Sequence, residues 1–415
     1  MAMILFGISA LEWHRTPPGV LDAAAEEQPH AGQPGQSEHR SSQTRRSNTP
    51  SFIRTIDREL NGTLVGVSPP FHIVDPSATR GRYSDIVVHS SQVKPNELEL
   101  IAPGLLVTTP ERTVLDLCRT NSTGAIAALM CELCGLYTTI PKTDRLDAAI
   151  DMLLKQRGEQ ASQQTIRNRE KRKACARLDG RPHAPTLAAF LDTDGNRCVF
   201  PKGGDAWFPC IGRDGKRTSL WKRPPLCTIE SLIACAELNK GATGIQRFRR
   251  ALRYVVEGSG SPAETICAIL MGPNRSIGQE GLPPIQLNRR INLDELAASS
   301  LGRATCVVDI LWANGSRIRT GCCVEVDGAA FHDDSKIDPS KLRGTNTDSV
   351  RRAALAQMGL DVVTVAWSQL KDLQQWDIVV NHMYKNLGIE RRAFDTTSLL
   401  KRERLHRELM NADIH

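Results

Sequence analysis

The sequence predicts a mixed α/β (α+β) protein, and three observations predict it. Short runs rich in β-branched residues, FHIVD (71–75), SDIVVHS (84–90) and GLLVTTP (104–110), read as strands of a small sheet. Runs such as ERTVLDLCR and CTIESLIACAELNK carry apolar residues at helical spacing. From about residue 260 the order is helix, strand pair, helix, strand, helix, which calls for a mixed sheet with helices packed on it. At 415 residues the chain exceeds one ordinary domain.

The elements divide the chain. Residues 1–21 form an N-terminal segment, a short strand or helix ending at Pro17-Pro18. Residues 22–50, rich in Gln, Ser, Glu, Pro and Gly, read as a disordered linker. Residues 51–150 form a small mixed α/β domain. In it a helix opens at Thr109 with Pro110 in its first position, and another spans 123–136. A helix over 143–172 becomes strongly charged, and 178–225 show no clear period, so 151–225 read as a basic, loop-rich insertion. Residues 226–390 form a second α/β domain. It holds a helix from Ser261, a hairpin over 305–327, a helix over 348–358 ended by Gly359, a strand over 361–367 and a helix after Ser368. Residues 391–415 supply an amphipathic helix that suits a protein partner.

Charge is uneven. The net charge is +7, while 151–225 alone hold 16 Lys/Arg against 8 Asp/Glu, including Lys171, Arg172 and Lys173. That segment is either an electrostatic footprint for nucleic acid or a solvated insertion. Scarce aromatics argue against a stacking platform for single strands. Twelve cysteines, many in apolar runs, suit reduced buried thiols in a cytosolic protein. Cys131 and Cys134 have zinc-ligand spacing, and equally suit a helix that carries two thiols. No transmembrane span is visible and the first residues lack a basic leader, so a cytoplasmic location without membrane contact is expected.

Residues 305–332, TCVVDILWANGSRIRTGCCVEVDGAAFH, carry most of the chemistry. Two apolar runs flank the turn Ala313-Asn314-Gly315-Ser316. Asp309 lies inside the first run, and Glu325 and Asp327 inside the second. Carboxylates within apolar strands cost free energy unless they are paired or bind a cation. Alternation points Glu325 and Asp327 the same way. With Asp309 on that side, three hard oxygen ligands converge, a set that suits Mg²⁺ or Mn²⁺ and phosphodiester hydrolysis.

The segments VVDILW, VEVDGAAFH, Asp348 to Arg351 and VVTVAWSQL, in that order, resemble the very-short-patch-repair (Vsr-like) branch of the PD-(D/E)XK nuclease superfamily, and within it a bacterial domain of unknown function. The resemblance covers about 260–385. It implies a restriction-endonuclease-like mixed sheet flanked by helices. It also implies an acid from the first helix at Glu264, a metal-binding pair at Asp309 and Glu325, a base at His332 and a phosphate contact at Arg351. The superfamily's E-x-K lysine is replaced here by Asp327. A second stretch, HIVDPSATRGRYSDIVVHSSQ to GLLVTTPERTVLDLCR, resembles the abortive-infection, type IV antitoxin-like (AbiEi-like) proteins over about 70–120, without a winged helix in 1–50. In it Arg112 and Asp116 stand one helical turn apart.

Each candidate also has a plainer reading. Ser261 and Glu264 match a capping box. Asp309 suits an arginine partner across the sheet, and Asp327-Gly328 suits a turn. His332 suits an ordinary loop, and Asp348 a helix N-terminal acid paired with Arg351. Taken jointly, the residues lead to an expected DNA-acting protein with Mg²⁺- or Mn²⁺-dependent hydrolysis of double-stranded DNA. Asp309, Glu325, Asp327 and His332 are catalytic in that expectation. Glu264 joins Asp309 and Glu325 at the metal, and Arg351, Lys171, Arg172 and Lys173 contact phosphate. The rival is a non-catalytic antitoxin-like or DNA-binding regulator with a degenerate nuclease fold.

Overall fold

The period-two runs become strands and the 3.6-period runs become helices in the computed structural model. It describes residues 3–18, 20, 64–74, 81–82, 85–102, 104–155, 189–191, 197–199, 207–211, 216–302, 304–314, 317–327 and 343–412. The linker over 22–50 and residues 156–188 of the basic insertion lie outside them. The chain forms two compact units, Met1–Thr113 with Thr139–Phe208, and Val114–Thr138 with Pro209–Ile414.

The first unit is built on a six-stranded sheet. Its elements are β1 (Met3–Leu5), α1 (Gly7–His14), β2 (Phe71–Val74), β3 (Gly81–Arg82), β4 (Ile86–His89), β5 (Leu98–Ala102) and β6 (Leu105–Thr108), with strand order β3-β4-β2-β1-β6-β5. β1 pairs antiparallel with β2 and parallel with β6, so residues 3–5 are an inner strand of this sheet. Leu5, Ile73 and Val107 are fully buried. The helix α2 (Pro110–Leu117) follows β6 directly. Its Arg112, read as standing one turn from Asp116, reaches Glu97, which that reading did not include. The guanidinium donates to Glu97 Oε2 at 2.6 Å, Ser91 Oγ at 3.1 Å and the Gln92 carbonyl at 3.0 Å. Glu97 is fixed there because its own carbonyl accepts the Thr109 N–H at 2.9 Å.

In the second unit α3 (Thr123–Leu133) starts at Ser122, whose side chain accepts the Ala125 N–H at 3.2 Å, the arrangement of an N-cap. β7 (Tyr137–Thr139) follows. Residues 178–225, read as lacking a period, contain short strands: β8 (Ala189–Leu191) and β9 (Arg197–Val199), which belong to the first unit, and then β10 (Phe208–Ile211) and β11 (Arg217–Lys222). β10, β11 and β7 form a small sheet in that order. Strands of three to six residues, with Gly and Pro around them, are too brief to show a period. Next come α4 (Ile229–Leu238), α5 (Ile245–Leu252) and α6 (Pro262–Met271).

The C-terminal sheet is mixed, as the order of elements requires. It comprises β12 (Ile285–Asn292), β13 (Thr305–Asn314), β14 (Arg317–Asp327) and β15 (Leu360–Ala366), in that order. β12/β13 and β13/β14 are antiparallel, and β14/β15 is parallel. α7 (Glu295–Leu301) precedes β13, and α8 (Arg343–Gln357) supplies the crossover that parallel neighbours need. α8 begins at Arg343, ahead of the expected start at 348. Leu355 of α8 joins Cys306, Val308, Cys323 and Leu360 in one apolar core. After β15 the expected single helix is two, α9 (Trp367–Lys371) and α10 (Leu373–Asn386). The break falls at Asp372, whose side chain accepts the N–H groups of Gln374 and Gln375 and so caps the second helix.

The final helix, α11 (Thr396–Met410), is tied into this unit. Glu280, 1% exposed, accepts Arg402 Nε at 2.7 Å, Trp376 Nε1 at 3.0 Å and Arg391 Nη2 at 3.1 Å. Arg402 and Arg391 also grip Asp377. Removing one partner of a buried charge leaves the other desolvated and unpaired. Arg402→Met is therefore expected to lower stability by about 3 kcal/mol, with Arg391 still holding part of the charge, as read from urea denaturation against the wild type.

Candidate active site

The hairpin opens where its acids sit. The β13/β14 ladder runs from Asn314↔Arg317 to Ile310↔Val324. Below that rung β13 continues with β12, pairing Val308 with Arg289 and Val307 with Arg290, and β14 continues with β15, pairing Glu325 with Thr364. Side chains fill the resulting fork. Asp309 Oδ2 accepts the Val326 N–H at 2.9 Å. Arg351 of α8 donates Nη2 to the Val307 carbonyl and to Glu325 Oε1, the latter at 2.7 Å. The two strands thus separate without leaving those buried backbone groups unpaired.

Glu264 reaches the same place from α6, a helix that packs on β13 and β14. Ser261 Oγ accepts the Glu264 N–H at 3.2 Å, and Glu264 Oε2 accepts the Gly260 N–H at 2.7 Å. Ser261 caps α6 as read, but the Glu264 carboxylate takes the Gly260 N–H in place of the N-cap N–H of a capping box, and it also acts electrostatically on Asp309 and Glu325. Asn288 completes the row. It lies between the paired residues Leu287 and Arg289, as Asp309 lies between Ile310 and Val308. Its φ of 48° is left-handed, a region Asn tolerates better than most residues. Asn288 Nδ2 donates to Glu264 Oε2 at 2.7 Å and to the Gly258 carbonyl at 2.9 Å.

Lys222, at the end of β11, donates Nζ to the Gly260 carbonyl. The peptide at Gly260 is thereby held from both sides, its N–H by Glu264 and its C=O by Lys222. A Cβ at Gly260 would stand 2.9 Å from Lys222 Nζ, 3.1 Å from Glu264 Oε2 and 3.2 Å from Asn288 Nδ2. Those three groups close on one point that only glycine leaves open.

The electrostatics follow from this crowding. Burial first, and then Glu264, raise Asp309 to about 7, against the Val326 hydrogen bond, Arg351 and Lys222. Burial and then Asp309 raise Glu325 to about 8, Arg351 opposing. The two share their protons as a pair. Asp309 is half-buried, and the Glu325 and Arg351 side chains are 16% and 24% exposed, so solvent reaches the fork.

For the other expected site residues no side chain is among the described residues. Asp327 lies at the end of β14 and Asp348 within α8, with their side chains outside the described residues. His332, Lys171, Arg172 and Lys173 also lie outside them. Among the described residues, no group of three or more His, Cys, Asp or Glu is arranged to hold a metal ion. Glu264 and Glu325 give oxygens to protein donors, which leaves that set unclosed. The donor atoms are hard carboxylate oxygens, the kind a divalent cation takes, and it is burial that chiefly raises the proton affinity of Asp309 and Glu325. The Cys131 thiol, raised to about 12 by burial, accepts the Val256 N–H at 3.3 Å, and Cys134 Sγ stands 3.6 Å from Cys227 Sγ.

Sequence reasoning missed Lys222, Asn288 and Gly260. Asn288 within an apolar-polar run was one available signal; Lys222 was legible only as one charge of the basic insertion over 151–225. Among the described residues no helix is long and apolar enough to cross a membrane. Compared with family models, curated proteins and solved structures, the chain matches none.

A carboxyl that binds its proton more tightly in the fold than in the open chain stabilises below its ordinary value, 3.8 for Asp309 and 4.5 for Glu325. That stability is lost as pH rises through about 7 and about 8. Asp309→Asn removes part of this dependence. From pH 4 to pH 8 the wild type is expected to lose more than about 1 kcal/mol relative to the variant, measured by denaturant unfolding at matched ionic strength. Parallel curves for the two proteins would remove Asp309 as the titrating group.

Proposed function

We propose that this chain acts on DNA and that its C-terminal unit hydrolyses phosphodiester bonds with Mg²⁺ or Mn²⁺, in the manner of a Vsr-like, PD-(D/E)XK-type endonuclease. The observation that carries the reading is the strand fork, where Asp309 and Glu325 lie together with raised proton affinity and an open side to solvent. A mixed sheet with this strand order, reached by α6 from one element and α8 from another, supports it.

In this reading Asp309 and Glu325 are the metal ligands, with Glu264 and Asp327 completing or positioning the set. A bound divalent cation would supply a nucleophilic water and stabilise charge on the phosphate. Arg351, bonded to Glu325 and the Val307 carbonyl, aims the Glu325 carboxylate; its described partners are protein groups. His332 is the proposed base, with an imidazole suited to proton transfer near neutral pH. The basic insertion, including Lys171, Arg172 and Lys173, supplies backbone contacts to duplex DNA. The cell compartment proposed is the cytoplasm. The face of α11 carrying Leu399 and Leu400, 39% and 62% exposed, is proposed as a contact for a protein partner.

A specific observation favours a second reading. Arg351 occupies Glu325, Asn288 and the Gly260 N–H occupy Glu264, and Asp327 stands where the superfamily has lysine. A degenerate fold that binds DNA without cutting it, as an antitoxin-like regulator, would look like this. Calorimetry with Mn²⁺, with and without a DNA duplex, separates the two. The wild type is expected to bind Mn²⁺ with release of protons near pH 7, because carboxyls must ionise to ligate. Asp309→Ala should abolish Mn²⁺ binding and cleavage while duplex affinity stays within about threefold, a change under about 1 kcal/mol. No Mn²⁺ binding in either condition would leave the binding module as the better reading.

A further inference from the structure

The cation that meets DNA at the carboxylate fork need not come from the C-terminal sheet. Arg351, the arginine expected to contact phosphate, already holds Glu325 and the Val307 carbonyl. Among the described residues, Lys222 is the other cation that acts on Asp309. It lies on β11, and its Nζ reaches the Gly260 carbonyl beside the start of α6. That ammonium, the Glu264 carboxylate and the Asn288 amide converge within about van der Waals contact of one position at Gly260. Lys222 also acts on Asp309, and on Cys210 together with Glu264, so it belongs electrically to the acid cluster.

We propose that Lys222 is the residue that contacts the DNA phosphate at this fork, taking from a distant strand the place left by Asp327 in β14. An ammonium has three donors in rotatable positions, and the described partner of this one is a single carbonyl. Lys222 is half-buried, close enough to the acids to offset their charge and exposed enough to reach a ligand. An ammonium is a compact point charge on a flexible stem, able to turn from the Gly260 carbonyl to a phosphate oxygen. The negative cluster alone would repel a polyanion; Lys222 and Arg351 make the local balance tolerable. Gly260 is part of the device, since any side chain there would displace Nζ from its position.

The assignment rests on the proposed function, in that DNA must approach the fork, but not on cleavage. Full-length wild type, Lys222→Met and Lys222→Arg would be titrated against a fluorescein-labelled DNA duplex by anisotropy. Ca²⁺ would be present to prevent turnover, across a NaCl series. Removing one phosphate contact lowers the slope of log K against log salt by about one unit. Lys222→Met is expected to show that loss and roughly tenfold weaker binding, with far-UV circular dichroism unchanged. Lys222→Arg keeps the charge and is expected to keep the wild-type slope. If both variants lose the slope equally, or both keep it, the assignment to Lys222 is overturned while the nuclease reading stands on its own Mn²⁺ and Asp309→Ala results. Loss of Mn²⁺-dependent cleavage at an unchanged slope would make Lys222 a positioning residue acting through Gly260, and would also overturn it. A wild type with neither salt-dependent duplex binding nor cleavage would overturn both.

Discussion

The second unit depends on how two strands part. Antiparallel neighbours normally satisfy each other's backbone groups along their whole length. Here β13 and β14 stop doing so at Ile310 and Val324, and two charged side chains take over. Asp309 accepts the Val326 N–H, and Arg351 donates to the Val307 carbonyl. The gap between the strands therefore exists because a carboxylate and a guanidinium hold it open. The same carboxylate lies beside Glu264 and Glu325, so the geometry that separates the strands also concentrates negative charge. Structural and chemical roles fall on the same atoms.

That coincidence explains which features were legible in the chain. Asp309 and Glu325 stood out because period-two apolar runs make an interior acid conspicuous, and both lie at the fork. Ser261 and Glu264 were legible as a cap, and the cap is real, though the cap alone did not say where the carboxylate would be carried. Arg351 was found only through a resemblance; in the fold it serves Glu325. Asn288 was legible only as a polar residue in an apolar-polar run, and Lys222 only as one charge of the basic insertion; neither was legible as part of the site. Asn288 matters through a left-handed backbone that no alternation pattern encodes. Lys222 matters through a meeting of β11 with the start of α6, which follows from tertiary packing.

The first unit repeats the lesson at the level of topology. FHIVD, SDIVVHS and GLLVTTP marked strands correctly, with ends off by a residue or two. The strand that holds the sheet together, β1, has three residues and lies far from its partners in sequence. A three-residue run is equally good as strand or helix until its neighbours are known. Helix α2 shows the same limit for ion pairs. Spacing of one turn suggested Asp116 as the companion of Arg112, and the fold adds Glu97 from the preceding strand junction at 2.6 Å.

The last helix carries a consequence for how the molecule can be divided. Residues 391–415 read as an amphipathic surface helix beyond a domain ending near 390. Glu280 is buried with Arg391 and Arg402 as its cations, and His406 of α11 donates to the Leu370 carbonyl at 2.7 Å. A fragment ending at 390 would retain the carboxylate and lose both cations. A piece of this unit that keeps Glu280 paired with both cations runs at least as far as Arg402 in α11.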